Sequence, residues 1–127
     1  MSDARRRVLV VEDDADTRAL YRAVLERAGW EVAETASGAE AVRLAAEAPP
    51  AVAVVDISIP GLDGWETTRR LKAGAATRGV AVVAVTGHAL DEDRRRAREV
   101  GCDAYLIKPV EPSRLLAEVT RVAGNGE

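Results

Sequence analysis

The sequence predicts an α/β protein in which five strands alternate with five helices, (βα)5, around a parallel sheet. Short apolar runs rich in β-branched residues, typical of buried strands, alternate along the chain with amphipathic segments. The length of 127 residues suffices for one hydrophobic core and leaves no room for a second full domain. Because crossovers between parallel strands are right-handed, only a few doubly wound strand orders, with helices on both faces, fit this pattern.

Five apolar runs predict the strands. Residues 8–11, 51–55 and 80–85 are continuously apolar, which is typical of strands that are buried on both faces. Residues 30–36 predict a weaker strand nearer the edge of the sheet, and residues 103–107 predict the last strand.

Amphipathic segments predict the helices, at residues 13–28, 37–48, 65–73, 90–100 and 112–123. In the first helix, Leu20, Val24 and Ala28 recur at helical spacing and predict its apolar face. The second helix begins at a capping box that runs from Ser37 to Glu40. We expect the tail, residues 124–127, to fray.

The fourth predicted helix has little apolar surface. It offers only Leu90, Ala97 and Val100 as core contacts, and most of its other residues are charged. Because packing supplies most helical stability, we expect this helix to be weakly docked. It is then either a solvated surface helix or a low-stability element that shifts with a functional site.

Composition excludes several classes of protein. The net charge of −3 and the pI of about 5.3 disfavour nucleic-acid binding, which usually needs a basic face. The single cysteine, Cys102, excludes an internal disulfide framework and a multi-cysteine zinc site. The chain has no signal-peptide pattern and no apolar stretch of roughly 20 residues, so we expect a cytoplasmic protein without a membrane span.

Polar residues follow four of the predicted strands at the point where each strand ends. Glu12, Asp13 and Asp14 follow the first, while the third, fourth and fifth end in Asp56, Thr86 and Lys108. Asp14 is also explained as a simple helix cap. Because ligands of open parallel sheets bind at the carboxyl ends of the strands, we expect these side chains to converge on one rim.

The chemistry of this set favours phosphoryl transfer. Clustered carboxylates repel one another and attract a divalent cation, and Mg²⁺ suits a few oxygen ligands completed by water. The Asp56 carboxylate is the candidate nucleophile, since aspartate attacks phosphorus to form an acyl phosphate. The Lys108 ammonium and the Thr86 hydroxyl would stabilise the transferring phosphoryl group.

Four segments together resemble a known family. They are VLVVED at 8–13, VVDISIPGLDG at 54–64, VAVT at 83–86 and GCDAYLIKP at 101–109. In type, order and spacing they resemble the response-regulator receiver domain of two-component signalling, of the chemotaxis-receiver type, over about residues 6–123. The resemblance implies a flavodoxin-like fold with strand order 2-1-3-4-5, a single receiver domain over 1–127 and no output domain.

The resemblance also implies roles at the rim. Asp56 is similar to the phosphorylated aspartate of the family. The acidic pair falls on Glu12 and Asp13, and Asp14 takes a variable position. Mg²⁺ would then be bound directly by Asp13, Asp56 and the backbone carbonyl of Ser58, and by Glu12 through water.

A conformational switch is implied in the same way. Thr86 resembles the switch hydroxyl, Tyr105 resembles the switch aromatic residue, and the bond between Lys108 and Pro109 would be cis. Phosphorylation would shift the population between two packings of the fourth helix, last strand and last helix. Residues expected on this signalling face are Leu90, Arg94, Tyr105, Ile107 and Val110.

The implied partners are proteins. The phosphodonor would be a sensor histidine kinase or a histidine phosphotransfer protein, and the output would be contact with a downstream protein target. The resemblance implies no direct nucleic-acid contact and no membrane contact. It allows a monomer or a phosphorylation-dependent dimer, and it implies a switch that catalyses only its own modification rather than a turnover enzyme.

Departures and alternatives remain. Glu12 replaces the more usual Asp, Gly87 stands where a small residue such as Ala is usual, and Ser58 and His88 take variable positions.

A phosphohydrolase of the haloacid-dehalogenase type needs a second Asp where this chain has Ser58. A nucleotide binder needs a glycine-rich first turn, which is absent. A pseudo-receiver that only binds partners stays open, although the complete polar set disfavours it.

Overall fold

The computed structural model describes residues 6–59, 61–87 and 91–125. Strands and helices alternate along the whole of this part of the chain. Their bounds are β1 Arg7–Val11, α1 Ala15–Arg27, β2 Glu31–Thr35, α2 Gly38–Glu47, β3 Val52–Asp56, α3 Gly64–Ala73, β4 Ala81–Thr86, α4 Asp91–Val100, β5 Ala104–Ile107 and α5 Pro112–Asn125.

The five strands form one parallel sheet in the order β2-β1-β3-β4-β5, so the predicted fold class and strand order are confirmed. In the centre of the sheet, Val8 of β1 pairs with Val52 of β3, and Val11 pairs with Val55. The strand order reverses between β1 and β3, which places a crevice at the carboxyl ends of these two strands.

Successive side chains along each strand point to opposite faces of the sheet, so a hydrophobic core forms on each face. Val8 and Val10 of β1 point to the face covered by α1 and α5, while Leu9 and Val11 point to the face covered by α2 and α3. A smaller cluster joins Trp65 of α3 to α4. Both layers are mostly aliphatic, as expected from a composition with 3% aromatic residues.

The first helix differs from its prediction in its bounds and in part of its apolar face, although the predicted contact Ala28 does pack against the core. It begins at Ala15, because extended Asp14 caps it by accepting a hydrogen bond from the Thr17 amide. Its buried residues are Tyr21 and Leu25, whereas Leu20 is 48% exposed. Both series recur at helical spacing, so local periodicity cannot choose between them, and the sheet selects the face with the larger apolar side chains.

The other predicted bounds differ from the observed ones by one or two residues. Trp30 is predicted as the start of a strand, but it closes the turn after α1 by donating its amide to the Leu25 carbonyl. Helix α5 extends to Asn125, beyond the predicted start of the frayed tail, and residues 126–127 lie outside the described ranges.

Helix α4 is docked by a small apolar surface, as its sequence predicts. Ala97 is its buried residue, and Val100 packs partly against the same cluster. The third predicted contact, Leu90, lies outside the described residues, as does His88.

None of the described helices is both long enough and apolar enough to cross a bilayer.

Candidate functional site

The predicted site residues lie at the carboxyl ends of their strands or directly after them. Glu12 comes directly after β1, Asp56 is the last residue of β3, Thr86 is the last residue of β4, and Lys108 comes directly after β5. The four strands are neighbours in the sheet, so their ends share one rim. Chain segments that are far apart in sequence therefore meet at a single polar site.

Lys108 bridges the two buried carboxylates of this site. Its Nζ donates to Glu12 Oε1 at 2.8 Å and to Asp56 Oδ2 at 3.0 Å. The side chains of Glu12 and Asp56 are 1% and 3% exposed, whereas that of Lys108 is 29% exposed. A buried charge without a partner costs several kcal/mol, so the ammonium is what allows carboxylates at this depth.

The turn between β1 and α1 is held by several hydrogen bonds to Glu12. Its amide donates to the Thr35 carbonyl at 3.0 Å, and its Oε2 accepts from the Asp14 amide at 3.1 Å. Arg18 reaches back from α1 and donates to the Glu12 carbonyl at 2.9 Å. Because Asp13 lies inside this turn, its backbone is positioned from both sides.

Ser58, two positions after Asp56, donates two hydrogen bonds to one oxygen of the Asp56 carboxylate. Both the amide and the hydroxyl of Ser58 donate to Asp56 Oδ1 at 2.9 Å, while Oδ2 faces Lys108. These donors orient the carboxylate and favour its ionised form.

The buried groups of the site shift one another's proton affinity. Burial raises the pKa of Glu12 to about 7, against the opposing effect of the Lys108 ammonium. Burial also raises the pKa of Asp56, but hydrogen bonds from Glu12, Ser58 and Lys108 outweigh it and hold this pKa below its ordinary value. Burial lowers the pKa of Lys108, yet its bonds to both carboxylates leave it above the ordinary lysine value. Asp56 is therefore the carboxylate that stays ionised at neutral pH.

The carboxylates fit a hard divalent cation. Oxygen atoms of Glu12, Asp13 and Asp56 all lie within 4.8 Å of one another. Asp13 is exposed, which leaves an open side for water and for a phosphate oxygen. The donor set is entirely oxygen, which suits Mg²⁺ and does not suit a soft metal.

Thr86 is buried beside the rim, with 2% of its surface exposed. Its backbone carbonyl accepts a hydrogen bond from the Lys108 amide at 2.7 Å. A hydrogen bond joins the side chains of Thr86 and Tyr105, while burial raises the pKa of the Tyr105 phenol. Tyr105 is half-buried and packs against the cluster that contains Trp65 and Ala97. The Arg94 guanidinium lies 5.6 Å from the centre of its ring.

Four of the five residues predicted on the signalling face border one cleft of about 460 Å³. They are Arg94, Tyr105, Ile107 and Val110, and the fifth, Leu90, lies outside the described residues. The peptide bond between Lys108 and Pro109 at the edge of this cleft is cis.

Sequence reasoning missed two residues that shape the site. Arg18 carries no motif signal, because its bond to the Glu12 carbonyl depends on the docking of α1. Gly64 is the first residue of α3, and its role follows only from its neighbours in space: a Cβ there would lie 2.4 Å from Ile57 Cα and 2.6 Å from the Asp56 carbonyl oxygen.

We expect Gly64→Ala to destabilise the fold by about 2 kcal/mol and to slow any reaction at Asp56, because the backbone beside the carboxylate must move. Chemical denaturation measures the first effect. The control is Gly79→Ala, where a Cβ meets nothing within 4 Å, and we expect a change below about 0.5 kcal/mol. Equal effects of the two substitutions would contradict the steric explanation.

Five parallel strands in the order 2-1-3-4-5, with an acidic cluster at the carboxyl rim, define a flavodoxin-like α/β protein. The family described as the response regulator receiver domain matches residues 8–120. The chain belongs to this family of two-component signalling domains.

Individual relatives agree with this assignment. The polar-differentiation response regulator DivK of Brucella ovis is 36% identical over 118 residues, which cover 93% of this chain and 96% of the relative. Chemotaxis protein CheY4 of Vibrio cholerae has a TM-score of 0.87 at 28% identity, covering 91% of this chain and 97% of that one.

A third relative is the receiver domain of the sensor histidine kinase PA1611 of Pseudomonas aeruginosa, with a TM-score of 0.86 at 32% identity. It covers 94% of this chain and 98% of that one, and its structure holds a magnesium ion in the active site cleft. Receiver domains bind Mg²⁺ in their acidic site and act as signalling switches that interact with histidine kinases and downstream targets.

Proposed function

We propose that this chain accepts a phosphoryl group on Asp56 from a phosphohistidine donor and thereby controls a partner protein. The observation that carries the proposal is the contact of one ammonium, that of Lys108, with both buried carboxylates, Glu12 and Asp56. This arrangement keeps Asp56 ionised and oriented at the open rim of the sheet, which is what a carboxylate nucleophile needs.

In the proposed reaction an oxygen of Asp56 attacks phosphorus, the bond between phosphorus and the donor's imidazole nitrogen breaks, and its electron pair stays on the imidazole. The product is an acyl phosphate. The Lys108 ammonium loses its contact with the ionised carboxylate and pairs with a phosphoryl oxygen instead. The Thr86 hydroxyl, buried next to this position, donates to another phosphoryl oxygen.

The metal would be held by Asp13 and Asp56 directly, with the Ser58 carbonyl, and by Glu12 through water. A bound Mg²⁺ neutralises charge on the phosphoryl oxygens during transfer. Glu12 suits an outer role because it is buried and its two carboxylate oxygens already accept hydrogen bonds from Lys108 and from the Asp14 amide. Asp13, exposed and held by the β1–α1 turn, is the better direct ligand.

The output would follow from Thr86 and Tyr105, whose side chains share a hydrogen bond. When Thr86 turns toward the phosphoryl group it gives up this bond, and the ring of Tyr105 settles further into the cluster beneath it. The Arg94 contact with the ring then breaks or moves, which changes the cleft on the signalling face. Helix α4 follows readily because its apolar contact is small.

The remaining parts of the proposal rest on the family. The donor is a sensor histidine kinase or a histidine phosphotransfer protein, and the target is another protein. The chain works as one receiver domain in the cytoplasm, as a monomer or as a dimer that forms on phosphorylation.

The proposal is tested by incubating the chain with acetyl phosphate, with and without Mg²⁺, and measuring intact mass. We expect a gain of one phosphoryl group that requires Mg²⁺ and disappears in EDTA, because the acidic cluster repels the donor when no cation is bound. A beryllofluoride and Mg²⁺ mixture should change the fluorescence of the chain under the same conditions. Absence of any Mg²⁺-dependent modification with every donor would favour the pseudo-receiver.

A further inference from the structure

Charge is distributed unevenly along this chain. Residues 69–98 carry eight Lys and Arg against three Asp and Glu, a net charge of +5, whereas the rest of the chain carries −8 and the whole carries −3. The basic segment contains the end of α3 and most of α4. The positive charge of the chain is therefore concentrated in this segment.

A cleft between α3 and α4 carries part of this charge, with three arginines against two glutamates in its lining. It measures about 340 Å³, and its lining residues are Arg69, Glu92, Arg95, Arg96, Glu99 and Val100. The α4 residues lie at helical spacings of three and four, so they share one face of that helix. This face is separate from the signalling face, where Arg94 lies over the ring of Tyr105.

The arginines of the cleft keep hydrogen-bonding capacity for a partner beyond their own ion pairs. Arg69 already donates to Glu66 Oε1 at 2.6 Å in an exposed pair, which uses only part of its five N–H donors. The Arg96 guanidinium lies 5.1 Å from the centre of the Trp65 ring, and within the described residues no carboxylate lies within 4 Å of it. Arg95 meets Glu99 at 3.8 Å, at the limit of ion pairing, and both side chains are about two-thirds exposed. Exposed pairs of this kind contribute little, so an incoming carboxylate can replace them.

We propose that this α3–α4 cleft docks an acidic segment of a partner protein. The guanidinium groups of Arg69, Arg95 and Arg96 offer planar pairs of donors that match carboxylates. Glu92 and Glu99 restrict the register of the partner, because its carboxylates must avoid them. A nucleic acid is the less favoured occupant, since the −8 charge of the remaining chain repels a long polyanion.

The test uses the full, unphosphorylated chain, so its outcome is independent of phosphotransfer. A short fluorescein-labelled polyglutamate peptide, small enough to contact the cleft alone, is titrated with protein, and anisotropy reports binding. We expect saturable binding that weakens with added salt and a loss of about tenfold in affinity in the double variant Arg69→Gln with Arg95→Gln. The matched control is Arg43→Gln with Arg114→Gln, which removes two exposed arginines from α2 and α5. Its affinity should stay within about twofold of wild type.

A local readout comes from Trp65, because Arg96 covers its ring. In a Trp30→Phe background Trp65 is the sole indole, and we expect its emission to change on peptide binding. Three results would overturn the proposal: absence of saturable binding, equal losses in the two double variants, or tighter binding of a duplex DNA than of the peptide. Self-association of the chain that Arg69→Gln with Arg95→Gln abolishes would overturn it too, by showing that a second copy is the occupant.

Discussion

Replacing Asp56 with Asn should abolish phosphorylation by acetyl phosphate. An amide is not a nucleophile toward phosphorus, and its nitrogen cannot accept the hydrogen bonds that Asp56 accepts from Lys108 and Ser58. We expect no detectable gain of a phosphoryl group by intact mass, while wild type is modified under the same conditions. Beryllofluoride should likewise produce no Mg²⁺-dependent fluorescence change in the variant.

The matched control is Asp16→Asn, which makes the same chemical change at an exposed position in the first turn of α1. This variant should be modified at the wild-type rate. Modification of Asp56→Asn at a comparable rate would show that another residue accepts the phosphoryl group, and the proposed role of Asp56 would fail.

Replacing Lys108 with Met should destabilise the chain by about 3 kcal/mol at neutral pH, which lowers the melting temperature by about 10 °C. The substitution leaves two almost fully buried carboxylates, Glu12 and Asp56, without their shared cation. Thermal unfolding followed by circular dichroism measures the loss. The variant should still accept phosphate to a reduced degree but should transmit the signal poorly, because no ammonium remains to follow the phosphoryl group.

The stability lost in the Lys108→Met variant should grow with pH. Burial raises the pKa of Glu12 from its ordinary value of 4.5 to about 7, so the native state binds more protons than the unfolded state over this interval. Stability from this group therefore falls as pH rises through the interval. Without Lys108 the pKa of Glu12 rises further, so the variant continues to lose stability above about pH 7, where wild type no longer does, and the difference between the two should widen above about pH 7.

Added Mg²⁺ should restore part of the stability of Lys108→Met, because a cation at the cluster compensates the buried charge. The control is Lys72→Met, since Lys72 pairs with Asp103 at 3.0 Å and donates to the Val80 carbonyl, away from the rim. That variant should lose stability without rescue by Mg²⁺. Identical pH and Mg²⁺ responses in the two variants would contradict the assigned role of Lys108.

Much of the fold was predictable from local patterns. The three continuous apolar runs became β1, β3 and β4, and the capping box at Ser37 begins α2. Glu12, Asp56, Thr86 and Lys108 could be nominated because each follows a predicted strand, and parallel strands present their carboxyl ends at one edge. These features depend on periodicity and chain order, which are properties of the sequence alone.

Other features required the tertiary structure. The sheet, not the helical spacing, decided that α1 buries Tyr21 and Leu25 and exposes Leu20. The placement of Lys108 between Glu12 and Asp56 joins residues that are 96 and 52 positions apart, a distance that no local pattern encodes. The same holds for the ring contacts of Arg94 with Tyr105 and of Arg96 with Trp65. The sequence by itself determined which helices and strands form and which polar residues follow the strands. Packing decided the distances between the side chains of the site, because contacts between remote segments exist only once both segments are docked on the sheet.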